Sequence, residues 1–334
     1  MASPRTIRKL KNGLRSLSGW WRVLFLSVWL WNAGFLLAAE PVETPTAGPA
    51  VSSKRPVEGG EEDVLSPGAL ELFRIGPVPI TNSMVMGWLA AGVLAALSLR
   101  FYHQMKAGRN TIFTASVECL VVFLYDFLAD IMGKGLARKT FWLMGSVFIY
   151  ILCSNLLGLF PGIGSIGWGH VTEHMFKVTT PLFRGVNADL NTTLALGALF
   201  FLFWFIWAWK VNGPIGIIKH IFGFEGEASG MMHLVMAVVF LAVGFLEILS
   251  IIIRPFSLAL RLYGNIFAGE VVLETMLHKI PAIGWLLPVP FYLMEVLVGL
   301  IQAMVFMLLS AVFVMLICRH ESEEAHPEQD AKTE

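Results

Sequence analysis

Six ionisable residues stand inside stretches that are otherwise apolar: Glu247, Arg254, Arg261, Glu270, Glu274 and Glu295. A charge at mid-bilayer costs at least about 2.5–3.5 kcal/mol on insertion scales, so each needs a protein partner, water or a task. Their spacing is ordered. Glu247, Arg254 and Arg261 are seven residues apart, so on a helix each falls about 20° from the one before. Ser257 and Asn265 flank Arg261 at i−4 and i+4, on the same stripe. Glu270 follows nine residues after Arg261, which turns it by about 180°. Glu274 sits one turn beyond. On the next apolar stretch Glu295 and Gln302 are again seven apart. Two antiparallel helices with these stripes would line polar paths on different sides of one arginine. The same charges also admit a structural reading. Glu247 and Arg254 can pair across two turns, and Glu274, beside His278 and Lys279, stands where water can solvate it.

Composition explains why these charges stand out. Hydrophobic residues make up 56% of the 334-residue chain and charged residues 14%, against about 25% charged in a typical soluble domain. That excludes a disordered chain, a fibrous repeat and an ordinary soluble enzyme, and points to a chain dissolved mostly in lipid. A net charge of zero implies no basic surface for nucleic acid. The three cysteines, Cys119, Cys153 and Cys318, lie in or beside apolar runs. Without a CxxC motif or a Cys/His cluster they suggest neither a disulfide framework nor a metal site, and read as small buried hydrophobes. No cofactor is implied, and no Walker A pattern is found.

The charges also set an order along the chain. Residues 1–39 hold six basic and no acidic side chains, with Arg5, Arg8, Lys9, Lys11, Arg15 and Arg22 ahead of the apolar run 23–39. This is a signal-like leader, with Leu37-Ala38-Ala39 as a cleavage site or, alternatively, an uncleaved anchor. Residues 40–82, with seven prolines and an acidic cluster at 59–63, read as an extracytoplasmic linker without a core. Residues 83–318 read as a membrane domain, and 319–334, with six acidic and two basic residues, as an acidic cytoplasmic tail.

Inside the membrane domain, 83–99 is a span. Arg100, His103, Lys106 and Arg109 place its far end in the cytoplasm. Residues 114–132 carry Glu118, Asp126 and Asp130 on one side, which predicts an amphipathic helix at the interface instead of a span. Lys134, Arg138 and Lys139 keep that stretch cytoplasmic. Residues 141–160 and 190–209 are the second and third spans, joined by a glycine-rich outer loop, 161–188. The apolar runs 231–277 and 283–317 are too long for ordinary spans: as helices they reach about 70 and 50 Å, against a hydrocarbon core of about 30 Å. They must tilt steeply, break or curve around something. The expected fold class is an all-α polytopic membrane protein. It has about five crossing helices plus one amphipathic helix, its N-terminus outside after the leader and its C-terminus inside.

The run Arg254-Pro255-Phe256-Ser257-Leu258-Ala259-Leu260-Arg261-Leu262-Tyr263-Gly264-Asn265-Ile266-Phe267-Ala268-Gly269-Glu270 closely resembles the signature of subunit a of F-type ATP synthases. That signature reads as a basic residue and Pro, a short Ser-containing apolar run, Leu-Arg-Leu, an aromatic, Gly-Asn and Ala-Gly. Ile301-Gln302-Ala303-Met304-Val305-Phe306-Met307 resembles the last-helix signature. Asn155-Leu156-Leu157-Gly158-Leu159-Phe160-Pro161 and Asp189-Leu190-Asn191 resemble earlier motifs. The likeness covers about residues 80–320 in matching order. It implies the stator half of a rotary ion channel in a bacterial inner membrane, with no catalytic site of its own. Two long tilted helices embrace a ring of c subunits, beside a b-subunit peripheral stalk and the rest of the F1Fo complex. By motif, Arg261 corresponds to the essential stator arginine. Glu270, Glu295 and Gln302 correspond to the outer half-channel, and Glu247, Ser257 and Asn265 to the inner one or the interface. One departure stands out. Many relatives pair a carboxylate with a histidine at the Glu270 and Glu295 positions, whereas this chain has two glutamates, and nearby carboxylates tend to share a proton.

Three rivals are weighed on the same residues. A sodium-translocating version of this subunit differs in c-subunit ligands, which this chain does not carry. A secondary transporter would show paired repeats, and none is seen between the halves. A non-transporting membrane anchor leaves the buried arginine and carboxylate stripes unexplained.

Overall fold

The computed structural model describes residues 69–75, 78–160, 162–163, 166–172, 175–222, 231–279 and 288–324. The signal-like leader, most of the linker and the end of the acidic tail lie outside them. Strands β1 (Glu71–Ile75) and β2 (Val78–Thr81) form an antiparallel hairpin that runs straight into α1 (Asn82–Lys106). Next come α2 (Ile112–Met132) and α3 (Lys134–Gly158). A second antiparallel hairpin, β3 (Gly167–Thr172) and β4 (Met175–Pro181), leads to a single 3-10 turn at Val186–Ala188. The chain ends in α4 (Leu190–Phe222), α5 (Met231–Lys279) and α6 (Pro288–Glu324). All six α-helices are long and apolar enough to cross a membrane by length and composition. The fold is an all-α polytopic membrane protein, as its hydropathy requires.

The two hairpins are additions to the expected architecture. Within the expected linker, Glu71–Ile75 and Val78–Thr81 pair as strands, Ile80 is buried, and the Asn82 amide donates to the Leu70 carbonyl (3.1 Å). Pro79, opposite Arg74, is compatible with a strand here because both strands of a two-stranded hairpin are edges. The hairpins meet where Asn82 Nδ2 donates to the Pro181 carbonyl (3.3 Å).

Helix polarity follows from who touches whom. The N-terminal end of α1 bonds to that of α4 through Ser83 and Asp189 (2.6 Å). The C-terminal end of α3 joins them: Asn187, in the turn before α4, donates to Asn155 (2.6 Å). Asn155 in turn donates to the Gly299 carbonyl in the first half of α6 (3.0 Å). These ends define one pole of the bundle. At the opposite pole lie the C-terminal end of α1 and the N-terminal end of α3, and α2 links them. Its start meets α1, with the Arg100 guanidinium 5.2 Å from the Phe113 ring centre and Thr111 donating to Gln104 (2.8 Å). Its end meets the start of α3, with Thr140 Oγ1 donating to Met132 Sδ (3.3 Å) and Tyr125 edge-on to Phe141. Both ends of α2 therefore sit at the same pole. It thus does not link the two poles, although its length and composition are those of a span. Leu124, Leu128 and Met132 turn inward, while Asp126 and Asp130 are exposed. Gly133, at φ +80, is the single residue between α2 and α3, a left-handed conformation that favours glycine. Cys119 is exposed on α2 and the other two cysteines are half-buried. Cys119 is therefore not the buried hydrophobe its apolar neighbours suggest.

The core is built by α2, α3, α4 and α6 around one side of α5. Phe148, Ile151, Leu196, Leu258, Leu262, Phe306 and Met307 are all buried in it. Trp204 Nε1 donates to the Phe313 carbonyl (3.1 Å). The α4–α5 crossing is close at Gly197, where an added Cβ would lie 2.8 Å from the Pro255 carbonyl oxygen. Helix α4 extends well past residue 209 and kinks at Gly213 (φ 66, ψ 173). Helix α5 is one 49-residue helix with Pro255 inside it. At about 1.5 Å per residue it is about 74 Å long, more than twice a hydrocarbon core. Within its apolar stretch Val238–Leu273 only Gly244, Leu258, Ala259, Leu262 and Ile266 are buried among the described residues, so one whole face of it is left open.

Candidate functional site

Helices α5 and α6 run antiparallel in one register. Asn265 faces Gln302, Gly269 faces Glu295, and Arg254 faces Phe313. Asn265 Nδ2 donates to Gln302 Oε1 across the seam (2.8 Å). Glu295 is 3% exposed and packs so tightly on Gly269 that any Cβ there would overlap its carboxylate. A cavity of about 320 Å³ opens between the helices here, lined by Asn265, Ala268, Gly269, Phe291, Met294 and Glu295 among others. Glu295 Oε1 and Gln302 Nε2 are buried without a hydrogen-bond partner among the described residues. A cavity of this size can hold several waters to satisfy such atoms.

Arg261 stands beside this seam, one turn before Asn265 on the same stripe of α5. Leu258, Ala259, Leu262 and Ile266 turn into the core, whereas Ser257, Arg261, Gly264, Asn265 and Ala268 are exposed. The helix wheel therefore directs Arg261 away from the buried core, between Ser257 and Asn265 on its own stripe. Small residues flank it: Ser257, Gly264 and Ala268 leave the guanidinium proud of the surface. Among the described residues no carboxylate forms a salt bridge with it. Asn265, one turn along, connects this face to the cavity.

The other expected residues separate into two groups. Glu247 and Arg254 form the ion pair their spacing allows (3.3 Å). Arg254 also donates to Ser250 (3.2 Å) and lies 5.3 Å from the Phe313 ring centre. Glu270 faces an element that the sequence reading left as loop. Its carboxylate lies 3.7 Å from Arg184, and the two side chains are 19% and 7% exposed. The Glu274 side chain lies outside the described ones.

Arg184 is the residue the sequence reading missed, together with the polar knot that holds it. Asp189 caps α4: it accepts from the Asn191 amide (3.1 Å), Thr192 (3.4 Å) and Ser83 (2.6 Å). An aspartate there suits both the cap and the positive end of the helix dipole. With Asn187 and Asn155, this fixes the turn that presents Arg184. The available signal was a lone arginine beside a glycine, five residues before a capping aspartate, which is weak without the structure.

The chain matches the family model described as ATP synthase A chain over residues 84–315. It is similar to proteins named ATP synthase subunit a. The one from Bdellovibrio bacteriovorus is 37% identical over 196 residues, covering 58% of this chain and 70% of that one. The one from Moorella thermoacetica is 29% identical over 248 residues, covering 73% and 94%. The one from Trichlorobacter lovleyi is 30% identical over 245 residues, covering 73% and 89%. The match spans α1 to nearly the end of α6, including the whole α5–α6 seam, and the chain belongs to the ATP synthase A chain family, the non-catalytic membrane stator subunit of the ATP synthase.

Proposed function

We propose that this subunit provides two half-channels that carry protons to and from a rotating ring of c subunits, with Arg261 as the separator between them. The observation that carries this reading is Arg261 itself: a permanent charge that is exposed, on a helix whose outer face the rest of the bundle leaves open. Such a residue needs an external anionic partner, and a c-subunit carboxylate supplies one. At 4 Å and an effective dielectric of 20 the attraction is about 4 kcal/mol. It favours the ionised ring carboxylate and so promotes release of its proton beside Arg261. A group that does not titrate cannot relay protons, so the two paths stay separate. The pole carrying Glu270, Glu295 and the cavity is the outer one, and the orphaned atoms of Glu295 and Gln302 support a hydrated path ending at Asn265. Glu247 and Ser257, on the other half of α5, belong to the inner path.

The exposed apolar faces of α5 and α6 then meet the c-ring and lipid. A b-subunit stalk and the rest of the F1Fo complex complete the assembly in a bacterial inner membrane, the N-terminal part of the chain outside and its C-terminus in the cytoplasm. The test is Arg261→Ala in inverted membrane vesicles. Coupled ATP synthesis is expected to vanish while the subunit remains assembled; normal ATP-driven pumping by the variant would overturn the assignment. Comparing a protonophore with a sodium ionophore in the same vesicles decides the ion. Collapse of uptake by the sodium ionophore alone would replace protons with sodium.

A further inference from the structure

We infer that Arg184 is a positioning residue for the Glu270 carboxylate, and that the outer turn carrying it is part of the ion path. This rests on the reading of Glu270 as a group on that path.

Three observations support it. Arg184 is 7% exposed and its Nε lies 3.7 Å from Glu270 Oε2. Its guanidinium also lies 5.7 Å from the ring centre of Phe267. Phe267 and Glu270 are three residues apart, on one face of α5, so Arg184 lies along that face. The neighbouring glycine leaves room for this: a Cβ on Gly185 would overlap the Glu270 carboxylate, and one on Gly158 would come within 3.1 Å of the Gly185 Cα. Two glycines thus bring the turn, α3 and the carboxylate together.

The turn is also braced. Asn187 is tied to Asn155 on α3, and Asp189 to Ser83 on α1. Asp189 is engaged by Ser83, Asn191 and Thr192, while among the described residues Arg184 pairs with Glu270. A flexible loop arginine would follow the carboxylate wherever it went. A braced one fixes where the carboxylate sits, and proton transfer requires donor and acceptor within about 2.6–3.2 Å of each other or through one water. Glu295 approaches from α6 against the adjacent Gly269, and Glu274 follows one turn along α5.

The experiment measures passive proton conductance through the assembled complex, in membrane vesicles stripped of the catalytic head. Four variants are compared: Arg184→Gln, Arg184→Lys, Glu270→Gln and the Arg184→Gln/Glu270→Gln double. Subunit content is checked by immunoblot. Arg184→Gln is expected to slow conductance on the order of tenfold, since misplaced proton-transfer groups lose rate steeply. Arg184→Lys should recover most of it, and the double variant should be no slower than Glu270→Gln alone. If Glu270→Gln slows conductance while Arg184→Gln does not, the positioning role is wrong and the Glu270 reading stands. Effects of the two single substitutions that multiply in the double variant also overturn the positioning role. If Glu270→Gln leaves conductance unchanged, both fall together.

Discussion

At the scale of single residues, the seam depends on what is missing as much as on what is present. Gly269 has no side chain, and the Glu295 carboxylate occupies that space. Gly269→Ala is therefore expected to displace Glu295 or spread α5 from α6, at an overpacking cost of about 1–3 kcal/mol. Proton conductance should fall and the detergent-solubilised complex should melt earlier; a variant with unchanged conductance and melting would show that the carboxylate is not held there. Arg261, Asn265, Glu295 and Gln302 were legible because charge and polarity inside apolar runs are expensive, and expense marks them. Arg184 was not legible for the same physical reason in reverse. A charge in a loop read as outer and solvated costs nothing, so nothing in its setting sets it apart. Only its burial beneath Phe267 and Glu270 does that.

At the scale of elements, periodicity and charge carried most of the architecture. The length of α5 and α6 was visible as apolar runs too long for one span, and the carboxylates of α2 marked it as the odd helix. The hairpins were not visible. Pro79 is a loop signal by composition, and only pairing with Arg74 turns it into a strand edge. The placement of α2 leads to a test. If both its ends lie at one pole, cysteines introduced by Lys106→Cys and Lys134→Cys, in a Cys119→Ser background, should react with a membrane-impermeant maleimide from the same side. Labelling from opposite sides would make α2 a true span and invert the polarity of everything after it.

At the scale of the whole molecule, the subunit is two unlike halves. Helices α2, α3, α4 and α6 enclose a core, while α5 lends it one side and leaves its outer face open. The polar knot at one pole ties the enclosing helices together, since Asn155 on α3 bonds both the Asn187 side chain before α4 and the Gly299 carbonyl of α6. Asn155→Leu removes both bonds and strands their partners. Each stranded buried group costs about 1–3 kcal/mol, so the melting temperature of the isolated subunit should drop clearly. An unchanged melting temperature would mean that the knot is not a clamp.

That knot also has a place in time. Asn155 and Gly299 are 144 positions apart, and the ribosome makes the first long before the second. While α4 and α5 are being inserted, the Asn155 amide waits in the membrane for a partner that does not yet exist. Only arrival of the last helix completes it. A chain that stops short of α6 therefore carries an unpaired amide at that pole, and the last helix removes the cost of about 1–3 kcal/mol that such a group imposes.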